Sequence, residues 1–244
     1  MLKFMSRVLL VITVTLIFFS IYASLSKVYP FNWSVILKYR RLFFDGLMTT
    51  LRLSVTALGL SLLVGFIIAL FRTSRILVLE ELGMIYVWFF RNMPLLVIIL
   101  LIYYGIGSVV AINRFWAGVI SLALFEGAYV GEIFRAGIEA VPRGEIEAGE
   151  ALGMYKYQIM GSIIFPRALR ISIPPLVGQM VSLVKDSSLV SVIALGDLTM
   201  RARQVGTQTL ASLEAYLVLA GFYLAITSLL SLVGRYLERR LAIP

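Results

Sequence analysis

The chain has 244 residues, 60% of them hydrophobic and 14% charged, with 22 Lys and Arg against 13 Asp and Glu and neither Cys nor His. This composition excludes an ordinary soluble domain, and the missing Cys and His exclude disulfides, thiol chemistry, the usual zinc ligands and the commonest general base. The positive balance is that of an inner-membrane protein with cationic loops, and no stretch interleaves basic residues with aromatics on a polar background as nucleic-acid binding requires.

Apolar stretches of about 18 residues or more recur, each long enough to cross a ~30 Å hydrocarbon layer. Without water to satisfy the backbone they are expected to be helices, and the period-two alternation of an outer-membrane barrel is absent. The first stretch, 8–25, follows Lys3 and Arg7; Ser24 and Ser26 resemble a weak cleavage site, but the run is long for a leader, so a retained helix is expected. Residues 26–45 are mixed and cationic, with Lys27, Lys38, Arg40 and Arg41. A second span, 46–70, is rich in Gly, Ser and Thr, the character of helices that pack closely in lipid. Residues 82–109 would reach about 42 Å as one straight helix, too long for an untilted span, so a kink is expected at Pro94. Arg91, just before it, reads as an interfacial anchor that snorkels. Further spans are expected at 115–134, 171–195 and 214–235, with Arg235, Arg239 and Arg240 at a membrane surface. Trp33, Trp88 and Trp116 read as interfacial belt residues.

The longest polar segment lies between the fourth and fifth spans, from Arg135 to Pro166. Pro142 suits the first turn of a helix, Glu145 and Glu147 favour its positive end, and Gly153 suits a left-handed C-terminal cap. A second short helix, Tyr155 to Phe165, is expected to end at Pro166. With the N-terminus inside and six spans, the inner segments hold 12 Lys and Arg and the outer ones 7. That bias makes the helix–turn–helix, and both termini, cytoplasmic. A membrane protein that keeps such a segment out of lipid presents it to a soluble partner.

Glu147-Ala148-Gly149, then Gly153, Ile163 and Phe165-Pro166 resemble the EAA loop of type I ABC importer permeases. The spacing is kept, while Gly149 stands where that pattern has Ala and Phe165 where it has Leu. Arg135-Ala136-Gly137-Ile138, Arg143-Gly144, Arg91-Asn92-Met93-Pro94-Leu95 and Lys185-Asp186-Ser187-Ser188-Leu189 resemble the polar amino acid uptake subfamily. The resemblance covers about 46–235. It implies an all-α integral membrane protein of six transmembrane helices: a five-helix permease core at 46–244, with a cytoplasmic coupling hairpin within 135–170, behind an N-terminal helix and outer segment at 1–45. It further implies ATPase-coupling roles for Arg143, Gly144, Glu147, Ala148, Gly149, Leu152, Gly153, Met154 and Pro166. The implied partners are a cytoplasmic ABC ATPase dimer, a second permease subunit, identical or related, and an extracytoplasmic amino-acid-binding protein. No cofactor is expected on this chain, and ATP and Mg belong to the partner ATPase. The wording around Asn92 leans toward acidic amino acids or their amides.

Charges within spans each need an account, because a charged side chain at mid-bilayer costs on the order of 2.5–3.5 kcal/mol. Glu126 lies halfway along the fourth span, and Lys185-Asp186 interrupts the fifth. Adjacent helical residues point about 100° apart, so Lys185 and Asp186 call for partners on two sides. Two readings stay open for Glu126, Lys185, Asp186 and Ser188. Either they line a solute path, with Asn92, or they form a buried network that fixes helix register. The chain has no phosphate-binding Gly-x-x-x-x-Gly-Lys-Ser/Thr loop, so any nucleotide is bound elsewhere. An integral-membrane enzyme lacks a nucleophile-plus-base set or metal spacing here. A lone secondary transporter or channel would be expected to show inverted repeats with paired broken helices, which the sequence does not.

Overall fold

The structure, a computed structural model, describes residues 26–241 continuously and, ahead of them, residues 9, 12, 13, 15–17, 19, 20 and 22–24. After a short helix at Ser34–Lys38, α1 spans Arg40–Arg72, α2 Leu77–Asn92, α3 Leu95–Val110, α4 Arg114–Glu139, α5 Arg143–Ala151, α6 Lys156–Ile193, α7 Leu198–Thr209 and α8 Ser212–Leu241. Four of these, α1, α4, α6 and α8, are long and apolar enough to cross a membrane. The pair α2 and α3 makes a fifth candidate. The expected first span, 8–25, is described only in part, with a short apolar helix at Thr15–Ser24, so the described helices account for up to five of the six expected spans.

Three local expectations are corrected. The kink at Pro94 is a complete break: α2 ends at Asn92, Met93 and Pro94 are extended, and α3 leaves at 103° to α2. Pro removes a backbone donor and restricts the residue before it, and here both effects fall at one joint. Pro166, in contrast, ends nothing. The helix from Lys156 runs on through it to Asp186, because Met160–Ile164 takes a π-helical turn that absorbs the missing N–H just before the proline. Pro142 sits at the N-cap of α5 instead of inside its first turn.

Helix α4 is the hub. It crosses α1 so closely that any side chain at Gly65 or Gly131 would meet Val130 or Ile68, which explains the small-residue character of the second span. It also packs on α2, α3 and α6. The core between them includes Leu53, Ile99, Leu122, Leu183 and Val190. Near the other end, α7 buries Leu198, Ala202 and Val205 against Phe43 of α1 and Ala215 of α8. Helix α8 leaves most of its apolar surface outward.

Candidate functional site

The turn between α5 and α6 is built from its caps. The amide of Gly153 donates to Glu150 O at 2.9 Å and that of Met154 to Gly149 O at 3.1 Å, the paired closure that satisfies the last carbonyls of a helix. Gly153 holds φ +75°, a conformation only glycine takes without strain. On the far side, the Gln158 side chain accepts from the Tyr155 amide at 2.8 Å, closing the first turn of α6.

One face of α5 is inward. Gly149 is its sole buried residue, lying against Ile159, Ile163 and Met154. Glycine at the third position of the motif lets α5 lie directly on α6. Arg143, Gly144, Glu147 and Ala148 are exposed on the other side, and Leu152, at the tip, is 82% exposed. Arg167 Nη2 donates to Glu145 Oε1 at 2.6 Å, pinning the start of α5 to α6. Phe165, where the motif has Leu, packs edge-on against Phe66 of α1, which meets Phe134 of α4 in the same way. The hairpin is thus rooted in three long helices. Pro166 lies at that root, exposed, while Met154 is half-buried under the turn.

Within the bundle, Glu126 of α4 is fully buried. Its Oε2 accepts from the Gln179 amide of α6, its Oε1 has no hydrogen-bond partner among the described residues, and Asp186 lies close enough for the two carboxyls to interact. Lys185 is turned away from this pair. It lines a groove between α6 and α8 with Thr227, Ser228, Ser231 and Arg235, and makes no ion pair among the described residues. Of the expected cluster the structure therefore brings Glu126 and Asp186 together and places Lys185 on another face; Ser188 is half-buried in the 3₁₀ turn Ser187–Ile193.

Two adjoining cavities, of about 530 and 420 Å³, share Arg91, Tyr129 and Glu132. Gln179 and Arg135 line the first and Asn92, Trp88 and Arg72 the second. Arg91 lies over the Tyr129 ring at 5.1 Å, so it faces a cavity instead of serving only as a lipid anchor. The Asn92 amide is engaged by Trp88 O at 2.7 Å. Glu132 is held between Arg72 at 3.3 Å and Arg135 at 2.9 Å. Sequence reasoning missed Gln179 and the Glu145–Arg167 pair. An isolated amide in an apolar run was the available signal for the first; nothing local announces the second.

Among the described residues, no group of three or more His, Cys, Asp or Glu is placed to hold a metal ion. The chemistry on offer is a buried carboxyl beside a half-buried one, two cation-lined cavities, and an exposed peg joined to both by α6.

Residues 61–243 match the family described as binding-protein-dependent transport system inner membrane component. Over 211 residues the chain is 38% identical to the probable glutamine ABC transporter permease protein GlnM of Bacillus subtilis (strain 168), covering 86% of this chain and 98% of that one. It is 34% identical over 223 residues to the glutamate/aspartate import permease protein GltK of Escherichia coli O6:H1, covering 88% and 100%. A solved structure described as an amino acid ABC transporter with histidines is similar at a TM-score of 0.81 and 37% identity, covering 86% of this chain and 98% of that one. A match of this span and identity leaves one assignment: the chain belongs to the family of inner membrane components of binding-protein-dependent transport systems.

Proposed function

We propose that this chain is the membrane-spanning permease subunit of an ATP-driven importer for polar amino acids. The observation that carries the reading is the continuity of α6. One helix starts in the exposed hairpin at Lys156 and carries Gln179 and Asp186 beside the buried Glu126. A push on the hairpin therefore reaches the middle of the bundle along one helix, as alternating access requires of a force-receiving element.

In this reading the hairpin and both termini are cytoplasmic. Arg143, Gly144, Glu147, Ala148 and Leu152 form the surface gripped by a separate ATPase dimer, which binds ATP and Mg. Gly149, Gly153, Met154 and Pro166 give the grip its shape. Two permease subunits, identical or related, enclose the path, and an extracytoplasmic binding protein delivers the solute. Glu126, Asp186, Ser188 and Asn92 line that path and meet the charged groups of a zwitterion. Relatives named for glutamine and for glutamate/aspartate support a lean toward acidic amino acids or their amides.

The test is reconstitution in liposomes with the ATPase and the binding protein. Uptake of labelled glutamine or glutamate that needs all three components and ATP is the expected result. Uptake by the lone chain without ATP would contradict it.

A further inference from the structure

The groove between α6 and α8 holds charge that the transport reading leaves unused. Its cavity, of about 370 Å³, is lined by Lys185 of α6 and by Thr227, Ser228, Ser231 and Arg235 of α8, with Leu232 on its apolar wall. The shape is built into the helix pair: beside Arg235 the two helices lie so close that any side chain at Gly234 would meet Val177. Thr227 and Ser231 direct their hydroxyl protons to carbonyls one turn back in α8, Tyr223 O and Thr227 O, each at 2.7 Å. Ser228 makes no hydrogen bond of this kind among the described residues, so its hydroxyl is free to donate. Both cations are exposed, and neither has an ion pair among the described residues.

Lys185 is the member that most needs a partner. Its neighbour Asp186 is level with Glu126, halfway along α4, and an ammonium at that depth is costly unless an opposite charge answers it. The groove gives the side chain a course toward a membrane surface. From Thr227 to Arg235 it follows α8 for about 12 Å, toward the end that carries Arg239 and Arg240. A lysine stem laid along it snorkels in that direction. This chain does not supply the answering charge. Glu126 and Asp186 are the acids at the depth of Lys185, and they engage each other inside the bundle. A second copy therefore brings no free carboxylate to Lys185. Beside the groove α8 exposes Leu224, Leu229, Leu232 and Val233, a surface that suits acyl chains.

We propose that this groove binds an anionic phospholipid, with its phosphate held by Lys185, Arg235 and Ser228 and its acyl chains along the exposed apolar face of α8. Basic pockets between membrane helices are suited to lipid head groups, and each cation there strengthens binding about fivefold. The proposal goes beyond the importer reading, because the lipid is neither solute nor motor.

The experiment is native mass spectrometry of the protein as purified from membranes, with the subunits that accompany it, stripped of lipid in detergent. It is titrated with phosphatidylglycerol or with phosphatidylcholine of the same chain length, and each spectrum counts bound lipids and copies of this chain together. Phosphatidylglycerol should bind more tightly than phosphatidylcholine. Arg235→Gln, at the exposed end of the groove, should weaken phosphatidylglycerol about fivefold, and Lys185→Gln with Arg235→Gln about twenty-five-fold. Arg75→Gln removes an exposed cation between α1 and α2 and should change neither lipid. Parallel titrations with inorganic phosphate and with glutamate distinguish lipid from free anions. Equal binding of phosphatidylglycerol by wild type and both groove variants overturns the proposal. So does inorganic phosphate or glutamate that binds as tightly as the lipid and is lost in the same variants. A double variant with an altered number of copies of this chain overturns it as well, by assigning the groove to a subunit contact. Binding is read without ATP or transport, so the outcome is separate from that of the importer reading.

Discussion

Arg167 and Glu145 stand 22 residues apart in sequence, yet the guanidinium Nη2 meets the carboxylate at 2.6 Å and fastens the N-terminal end of α5 to α6. Both side chains are about one-third exposed, so the pair contributes only on the order of 0.2–1 kcal/mol to stability. Its consequence is mechanical: it fixes the angle at which the peg leaves the bundle. Arg167→Glu should leave the chain folded and membrane-inserted while lowering ATP-dependent uptake several-fold. The exchanged double variant Arg167→Glu with Glu145→Arg should recover a large part of it. Uptake measured in proteoliposomes for both single variants and the double checks this.

The turn itself gives a second prediction. At Gly153 any L side chain is strained by about 1–2 kcal/mol, Asn least among them. Gly153→Val should therefore lose co-purification with the ATPase, and Gly153→Asn should keep it. At Gly149 the nearest atom to an added methyl is the movable end of Ile163, and alanine gains about 1 kcal/mol of helix propensity over glycine. Gly149→Ala, the residue of the EAA pattern, should be tolerated. Gly149→Val should weaken assembly, since overpacking costs about 1–3 kcal/mol.

The Glu126 carboxyl, held by Gln179 and facing Asp186, gives a third. Glu126→Gln keeps the volume and a hydrogen-bond acceptor while removing the acid. With Glu126 in the solute path, uptake should fall about tenfold or more, the loss expected when a buried charge-assisted contact of 1.5–3 kcal/mol goes. Assembly and basal ATP hydrolysis should persist. Unchanged uptake would return this residue to a purely architectural role.

Asp197 supplies a pH dependence away from the spans. It caps α7, accepting from the amides of Thr199 at 3.1 Å and Met200 at 3.0 Å. Burial nevertheless pushes its carboxyl up from 3.8 to about 6, against the pull of those amides. A group raised in this way binds its proton more tightly folded than unfolded. Its stabilising contribution is full below about pH 3.8 and is lost as pH rises through about 6. The difference between those values corresponds to about 2–3 kcal/mol. Wild-type protein in detergent should therefore unfold at a lower temperature at pH 7 than at pH 5 by more than Asp197→Asn does, because Asn keeps the cap and does not titrate. Parallel pH profiles for the two proteins would contradict this.

Much of the fold was legible because lipid leaves the backbone few choices. Apolar length alone located α1, α4, α6 and α8, and the polar residues between them located α5 and the turn at Gly153. What stayed hidden depends on partners distant in sequence. Pro166 looked like a terminator, since nothing local to it shows the π-helical turn at Met160–Ile164 that lets the helix continue. Lys185 and Asp186 were legible as facing two ways, but Gln179 as the partner of Glu126 was not, because one amide in a span has many readings. Helix α7 was missed altogether. It is short and polar, and it is held by long-range packing on Phe43 and Ala215 and by the Leu198 amide donating to Thr50 Oγ1 at 3.0 Å.

The central claim is that the α5 turn is a cytoplasmic handle gripped by a separate motor. The chain has no native cysteine, so Leu152→Cys places a single thiol at the tip of that turn. The decisive measurement is its labelling by a membrane-impermeant maleimide in inside-out and right-side-out vesicles, with and without the ATPase bound. The account predicts rapid labelling from the cytoplasmic side alone, and protection when the ATPase is present. Labelling from the outer side, or equal labelling with and without the ATPase, would contradict it.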